Sequence, residues 1–189
     1  MVTARTALDA SAPHENEESE ELDGGHDFDS YVRLHSARLC RSAFLLTGDH
    51  QLAEDLVQTA LAKVAPRWGR VVRAGDPTPY VRTVMVRTAI AWRRRRWRGE
   101  VPTAPLPDRE HPDVSSATDS RERLRTALLR LAPRQRAAVV LRFYEDLSEA
   151  ETARALGCAV GTVKSQTARG LAHLRAALSD RSIDAGGQP

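Results

Sequence analysis

A chain of 189 residues with 41% hydrophobic content can bury one ordinary core or two small ones, and 5% aromatic content beside abundant Ala and Leu favours helices over sheets. Two cysteines far apart, Cys40 and Cys158, exclude a disulfide framework, and no C-x-x-C pair is present to hold zinc. The net charge of +3 hides an asymmetry: residues 1–27 carry −7, residues 28–98 carry +9, residues 99–118 carry −3 and residues 119–189 carry +4, so two basic blocks face a polyanion across an acidic break.

Residues 1–26 lack hydrophobic period and read as a disordered acidic tail. Regular pattern starts at Phe28, where Phe28, Val32, Leu39, Ala43 and Leu46 recur at near-helical spacing until Thr47-Gly48. Asp49 can cap a second helix striped by Leu52, Leu56, Val57, Ala60, Leu61 and Val64. Pro66 should end or kink it near Trp68. Pro79 suits the first turn of a third helix, which carries Val81, Val84, Met85, Thr88 and Trp92 into the run Arg93 to Arg96. Cations at that helix end suit its dipole, and Trp92 with Arg96, or Arg93 with Trp97, stands at stacking distance if the helix persists.

Residues 99–118 hold four prolines and an acidic balance, the mark of a flexible linker. Leu124, Leu128 and Leu131 then mark a short helix. Pro133 opens another, with Val139, Val140 and Phe143 expected to face inward. The predicted fold class is therefore all-α: two small helical domains, 27–98 and 119–179, joined by the linker, with a C-terminal tail at 180–189.

The last segment is the most specific. Ser148 followed by Glu151 forms a capping box. Small Ala153, turn-forming Gly157 and aliphatic Val163 stand at the spacing of a helix-turn-helix. In its second helix, Val160, Val163, Leu171 and Leu174 are expected in the core. Thr162, Ser165, Gln166 and Arg169 share another face, with Lys164 beside them and no acid on that face. Such groups suit a major groove, where Arg and Gln read base edges and Lys, Thr and Ser hold phosphates. No paired histidines, nucleophile motif or Gly-rich phosphate loop appears, so no catalytic residue, metal or cofactor is predicted. Without a membrane-length apolar run or a signal peptide, the expected location is the cytoplasm. A repressor acting without polymerase, or an RNA-binding antitermination protein, would share some of these features.

Three stretches narrow the field: "LTGDHQLAEDLVQTAL", "YVRTVMVRTAIAWRRRRWR" and "LAPRQRAAVVLRFYEDLSEAETARALGCAVGTVKSQTARGLAHLR". Together they resemble an extracytoplasmic function (group 4) sigma factor of bacterial RNA polymerase, of the actinobacterial SigE-family branch. The resemblance covers residues 28–178. It implies that the first domain binds the β′ clamp helices of core polymerase through Glu54, Asp55 and Gln58. It implies minus-ten contacts from Tyr80, Arg82, Arg87, Thr88, Arg93 and Arg94. It implies minus-thirty-five contacts from Thr162, Lys164, Ser165, Gln166 and Arg169, with the second domain also on the β flap. An anti-sigma factor is a further implied partner, and no obligate homo-oligomer is expected. Arg87 stands where the family usually has Asn, Gln166 where many relatives have Arg, and Ala159 where a capping Ser is common.

Overall fold

The computed structural model describes the backbone of residues 15–97 and 116–179, with side chains from Asp27 to Arg94 and from Asp119 to Ser179. The linker and both extreme tails lie outside the described residues, as do the side chains of Arg95, Arg96 and Trp97 on which the stacking expectation rests. By internal contacts the chain divides into two units, residues 1–34 and residues 35–189. Among the described residues every regular element is helical.

Helix α1 runs Glu15–Thr47. Residues 15–26, expected in the disordered tail, therefore open this helix instead. Their glutamates are good helix formers, and negative charge favours a helix N-terminus. The helix stops at Gly48, which takes φ +77, a left-handed conformation that costs a Cβ-bearing residue. Asp49 then caps α2 (His50–Val64), its carboxylate accepting from the Leu52 N–H at 2.8 Å. The predicted stripe of α2 is buried except Leu52, which is half-buried. Pro66 tightens the chain into a 3-10 turn, Ala65–Arg67, and α3 (Trp68–Arg73) buries Trp68. Asp76 accepts from the Thr78 N–H at 2.9 Å and starts α4 (Thr78–Trp97), which packs Val81, Met85, Val86 and Ala89 against α2. That backbone bond holds the Asp76 carboxyl below its usual range.

Helix α5 (Ser116–Arg130) begins inside the predicted linker and turns Ala127 and Leu128 inward, while Leu124 is exposed. Helix α6 (Pro133–Val139) has proline in its first turn, as predicted, and runs into a π turn at Val140–Tyr144. There the Glu145 N–H reaches the Val140 carbonyl at 3.0 Å, five residues back. The wider turn shifts the helical register. Phe143, expected inside, is 59% exposed as a result, and Glu145 is carried inward. Helices α7 (Glu149–Leu156) and α8 (Val160–Ser179) complete the chain. Ala127, Leu128, Leu131, Val139 and Leu174 form a core, with Ala177 and Leu178 against it. Leu45 of α1 also packs on that core, so the second helical half (116–179) is docked on the first (35–97).

Candidate functional site

The helix-turn-helix forms as its spacing predicts. Ser148 Oγ accepts from the Glu151 N–H at 3.2 Å, and the Glu151 carboxylate accepts from the Ser148 N–H at 2.8 Å. The Ser148 hydroxyl also donates to that carboxylate at 2.6 Å, and this bond, followed by the one from the Ser148 N–H, holds the Glu151 carboxyl below its ordinary value. Gly157 ends α7 at φ +63, and the Cys158 N–H returns to the Ala153 carbonyl at 3.0 Å. Val163 is fully buried where α8 crosses α7. Leu174 is buried and Leu171 half-buried. Val160, expected inward, is 40% exposed, because it lies in the first turn of α8, before the crossing.

On the other face of α8, Lys164 and Arg169 are exposed, and Thr162, Ser165 and Gln166 are half-buried. Ser165 Oγ donates to the Thr162 carbonyl at 3.0 Å. The sequence places no acid on this face, but Glu149 of α7 reaches Lys164 at 3.5 Å. Both side chains are open to solvent, so the pair is worth about 0–1 kcal/mol and yields readily to a phosphate.

On α2, Glu54, Asp55 and Gln58 are all exposed, opposite the buried stripe. They form one polar edge free to meet a partner. Cys40 lies near Glu54, and burial followed by that negative charge pushes its thiol upward, away from a reactive thiolate.

Helix α4 departs from expectation. Tyr80 and Arg94 are exposed, but the other four residues assigned to DNA are engaged within the protein. Arg82 is buried and pairs with Glu145 at 2.8 Å. Thr88 is buried and accepts from Lys63 Nζ at 3.0 Å. Arg87 donates from Nε to the Ala155 carbonyl at 2.9 Å and from Nη2 to the Arg154 carbonyl at 3.0 Å. Arg93 donates to the Leu129 carbonyl at 3.2 Å. The resemblance assigns these positions to DNA by their place on α4, and the sequence does not show what packs over that helix.

A common chemistry unites these contacts. The last carbonyls of a helix lack partners within it and carry partial negative charge. Arg87 caps the end of α7, and Arg93 caps the end of α5. Arg136 is fully buried and donates to Leu128 of α5 at 2.6 Å and to Leu46 of α1 at 2.8 Å. Arg125 donates to the Gly48 carbonyl at 2.6 Å, just past α1, and Arg123 to Leu178 of α8 at 3.1 Å. A guanidinium fork suits this role because it presents several donors in one plane. Burial, with the charge of Arg93 adding, pushes the Arg136 guanidinium down to about 9. Glu145 is the acidic counterpart, receiving Arg82, Arg38 at 3.1 Å and the Ser42 hydroxyl. No residue pattern marked Glu145 or Arg136 in the sequence; the partners of Glu145, and the Leu46 partner of Arg136, lie 63 to 107 residues away.

Among the described residues no group of three or more His, Cys, Asp or Glu is placed to hold a metal ion. Nor is any described helix long and apolar enough to cross a membrane.

Residues 31–99 match the profile of sigma-70 region 2, and residues 121–174 match that of sigma-70 region 4. The chain is 43% identical over 159 residues to an RNA polymerase sigma-E factor of Streptomyces avermitilis, covering 84% of this chain and 89% of that one. It is 35% identical to the ECF RNA polymerase sigma factor SigM of Mycobacterium tuberculosis, over 78% of this chain and 74% of that one. Its fold resembles that of the sigma factor RpoE of Bartonella quintana, solved with the anti-sigma factor NepR. That match has a TM-score of 0.63 and 24% identity, and covers 82% of this chain and 99% of that one.

Proposed function

The chain belongs to the extracytoplasmic function sigma factors of the actinobacterial kind, and from that premise we propose how its surfaces divide the work. The family consists of transcription initiation factors, not enzymes; it binds core RNA polymerase and directs promoter-specific initiation. The exposed edge of Glu54, Asp55 and Gln58 on α2 takes the β′ clamp helices. Residues 27–98 act on the minus-ten element, with Tyr80 and Arg94 already open and Arg82, Arg87, Thr88 and Arg93 of the same helix contributing once freed. The linker, 99–118, spans to residues 119–179, whose helix-turn-helix lays α8 on the minus-thirty-five element through Thr162, Lys164, Ser165, Gln166 and Arg169. The same domain meets the β flap.

The observation that carries this reading is the pairing, in one chain, of an acidic exposed helix edge with a helix-turn-helix whose outer face holds Lys164 and Arg169. A repressor needs the second feature but not the first. Arginine contacts to phosphate position the protein and make binding depend steeply on salt. Bases unstacked from the nontemplate strand would be held against α4, where Tyr80 offers an exposed ring. Two modest DNA contacts joined through polymerase give promoter choice by avidity. The site of action is the cytoplasm, where polymerase works, and an anti-sigma factor is a partner of the kind seen with RpoE. Specific run-off transcription from core polymerase plus the purified chain tests the proposal; absence of any complex with core refutes it.

A further inference from the structure

Between α3, the loop after it, the first turn of α4 and helix α7 lies a cleft of about 760 Å³. That volume falls within the roughly 300–1,000 Å³ of small-molecule sites. Arg67 and Arg70 line it from the 3-10 turn and α3, Asp76 and Tyr80 from the loop and the start of α4, and Glu151 and Arg154 from α7. All six side chains are exposed, so the cleft is open to solvent.

Its chemistry is divided. Arg67 and Arg70 have no protein partner among the described residues, so their guanidinium donors are available to an anion. Arg154 stands near enough to the Glu151 carboxylate to feel its charge. The buried Arg82, which also lines the cleft, is already neutralised by Glu145 at 2.8 Å. Glu151 takes both Ser148 bonds on one oxygen, Oε2, at 2.8 and 2.6 Å, which leaves Oε1 for another donor. Asp76 adds a second carboxylate. Simple polyanions would be drawn to the arginines and repelled by these acids. A ligand with phosphates at one end and N–H or O–H donors at the other would satisfy both groups.

We propose that this cleft binds a free nucleoside diphosphate or a closely similar nucleotide. Arg67 and Arg70 take the phosphates in the forked geometry that guanidinium groups offer, and Arg154 completes the grip from α7. Tyr80 gives the base an exposed ring to stack on. Glu151 and Asp76 accept from ribose hydroxyls or a base amino group. Five of these six residues lie outside the minus-ten assignment, so the site stands apart from the path proposed for the promoter strand. Through Tyr80 the ligand also touches α4, so its concentration would be felt at the helix that the proposed function gives to DNA.

Calorimetric titration of the full-length chain with GDP, ADP and inorganic pyrophosphate tests the proposal, with thermal melts alongside. At least one of the two nucleotides should bind with a Kd below about 100 μM and raise Tm as its concentration rises. Pyrophosphate, which lacks the base and the ribose donors, should bind about tenfold more weakly. Arg70→Ala and Arg154→Ala should each weaken nucleotide binding about tenfold or more, while melting close to the wild-type chain because both side chains are exposed. Arg154→Ala keeps the main-chain carbonyl that accepts from Arg87, and it should bind a single-stranded minus-ten oligonucleotide as the wild-type chain does. Absence of heat and of any melting shift with both nucleotides at about 1 mM overturns the proposal. So does pyrophosphate binding as tightly as the nucleotides, or undiminished nucleotide binding in both variants. Equal loss of nucleotide and oligonucleotide in Arg154→Ala would overturn it in favour of a strand-binding cleft. Run-off transcription by the wild-type chain is independent of these outcomes, so failure here leaves the proposed function standing.

Discussion

The Arg87 guanidinium donates to the Ala155 carbonyl at 2.9 Å and so joins the helix expected to read the minus-ten element to the first helix of the helix-turn-helix. Its position beside Gly157 explains the close fit, since a Cβ there would stand 3.3 Å from Arg87 Nη2. Arg87→Ala should lower the stability of the free chain by about 1.5 kcal/mol, the low end for a charged hydrogen bond, because the site is partly exposed. Urea unfolding should show a lower midpoint at unchanged slope. An unchanged midpoint would mean the bond contributes nothing in solution.

The two left-handed glycines should respond differently. Gly157→Ala carries the conformational cost of about 1–2 kcal/mol and little more, because only a flexible arginine tip is near. Gly48→Ala carries the same cost and also drives a methyl into Leu129. It should be the more destabilising of the two in thermal melts, by at least about 1 kcal/mol. Equal losses would argue that Leu129 moves aside freely.

Arg136→Lys should be poorly tolerated. One ammonium cannot reproduce two directed bonds from a planar fork to the ends of α1 and α5. With a buried carbonyl left unpaired, the loss should be about 2–3 kcal/mol in denaturant titration. Near-wild-type stability in the lysine variant would show that the charge alone suffices.

The capping box gives a pH signature. Glu151 has a folded value below its unfolded one, chiefly through the Ser148 hydroxyl and then the Ser148 N–H. Its contribution is therefore complete above the ordinary glutamate value of 4.5 and is lost as pH falls through the lower folded value. Exchange of amides in the first turn of α7 should speed up over that acidic window. Glu151→Gln keeps an acceptor for the Ser148 N–H but has no carboxylate to titrate. Acid-dependent exchange persisting unchanged in the Gln variant would place the titrating group elsewhere.

The two partner surfaces should separate genetically. Asp55→Arg reverses charge at an exposed site, so the fold should survive while affinity for core polymerase falls at least tenfold, on the order of 1.4 kcal/mol. Arg169→Ala should keep core binding and lose about 10- to 100-fold in promoter discrimination, the worth of one base-edge contact. Pull-down on core and competition between promoter fragments read the two effects. Arg169→Ala discriminating like wild type would move the reading face elsewhere on α8.

Local chemistry made much of this protein legible from its residues alone. Asp49, Pro66, Pro79, Ser148-Glu151 and Gly157 each act through their own backbone or that of a near neighbour, so their roles as caps, breaks and turns follow from spacing. The buried stripe of α2 and the crossing at Val163 likewise need only helical period. Local pattern failed where neighbours in space override it. The π turn at Val140–Tyr144 put Phe143 outside and Glu145 inside, and no periodicity foretells an added residue in a turn. The glutamate-rich segment from Glu15 joined α1 despite its lack of apolar period, because propensity and end charge suffice for a helix there. Above all, the sequence marks arginines as cations for a polyanion, and tertiary structure decided which anion-like groups they meet in the free chain. Helix ends and one buried glutamate gather around α4 only because the second half folds back onto it. That choice depends on contacts between residues far apart in the chain, and neither charge count nor spacing contains them.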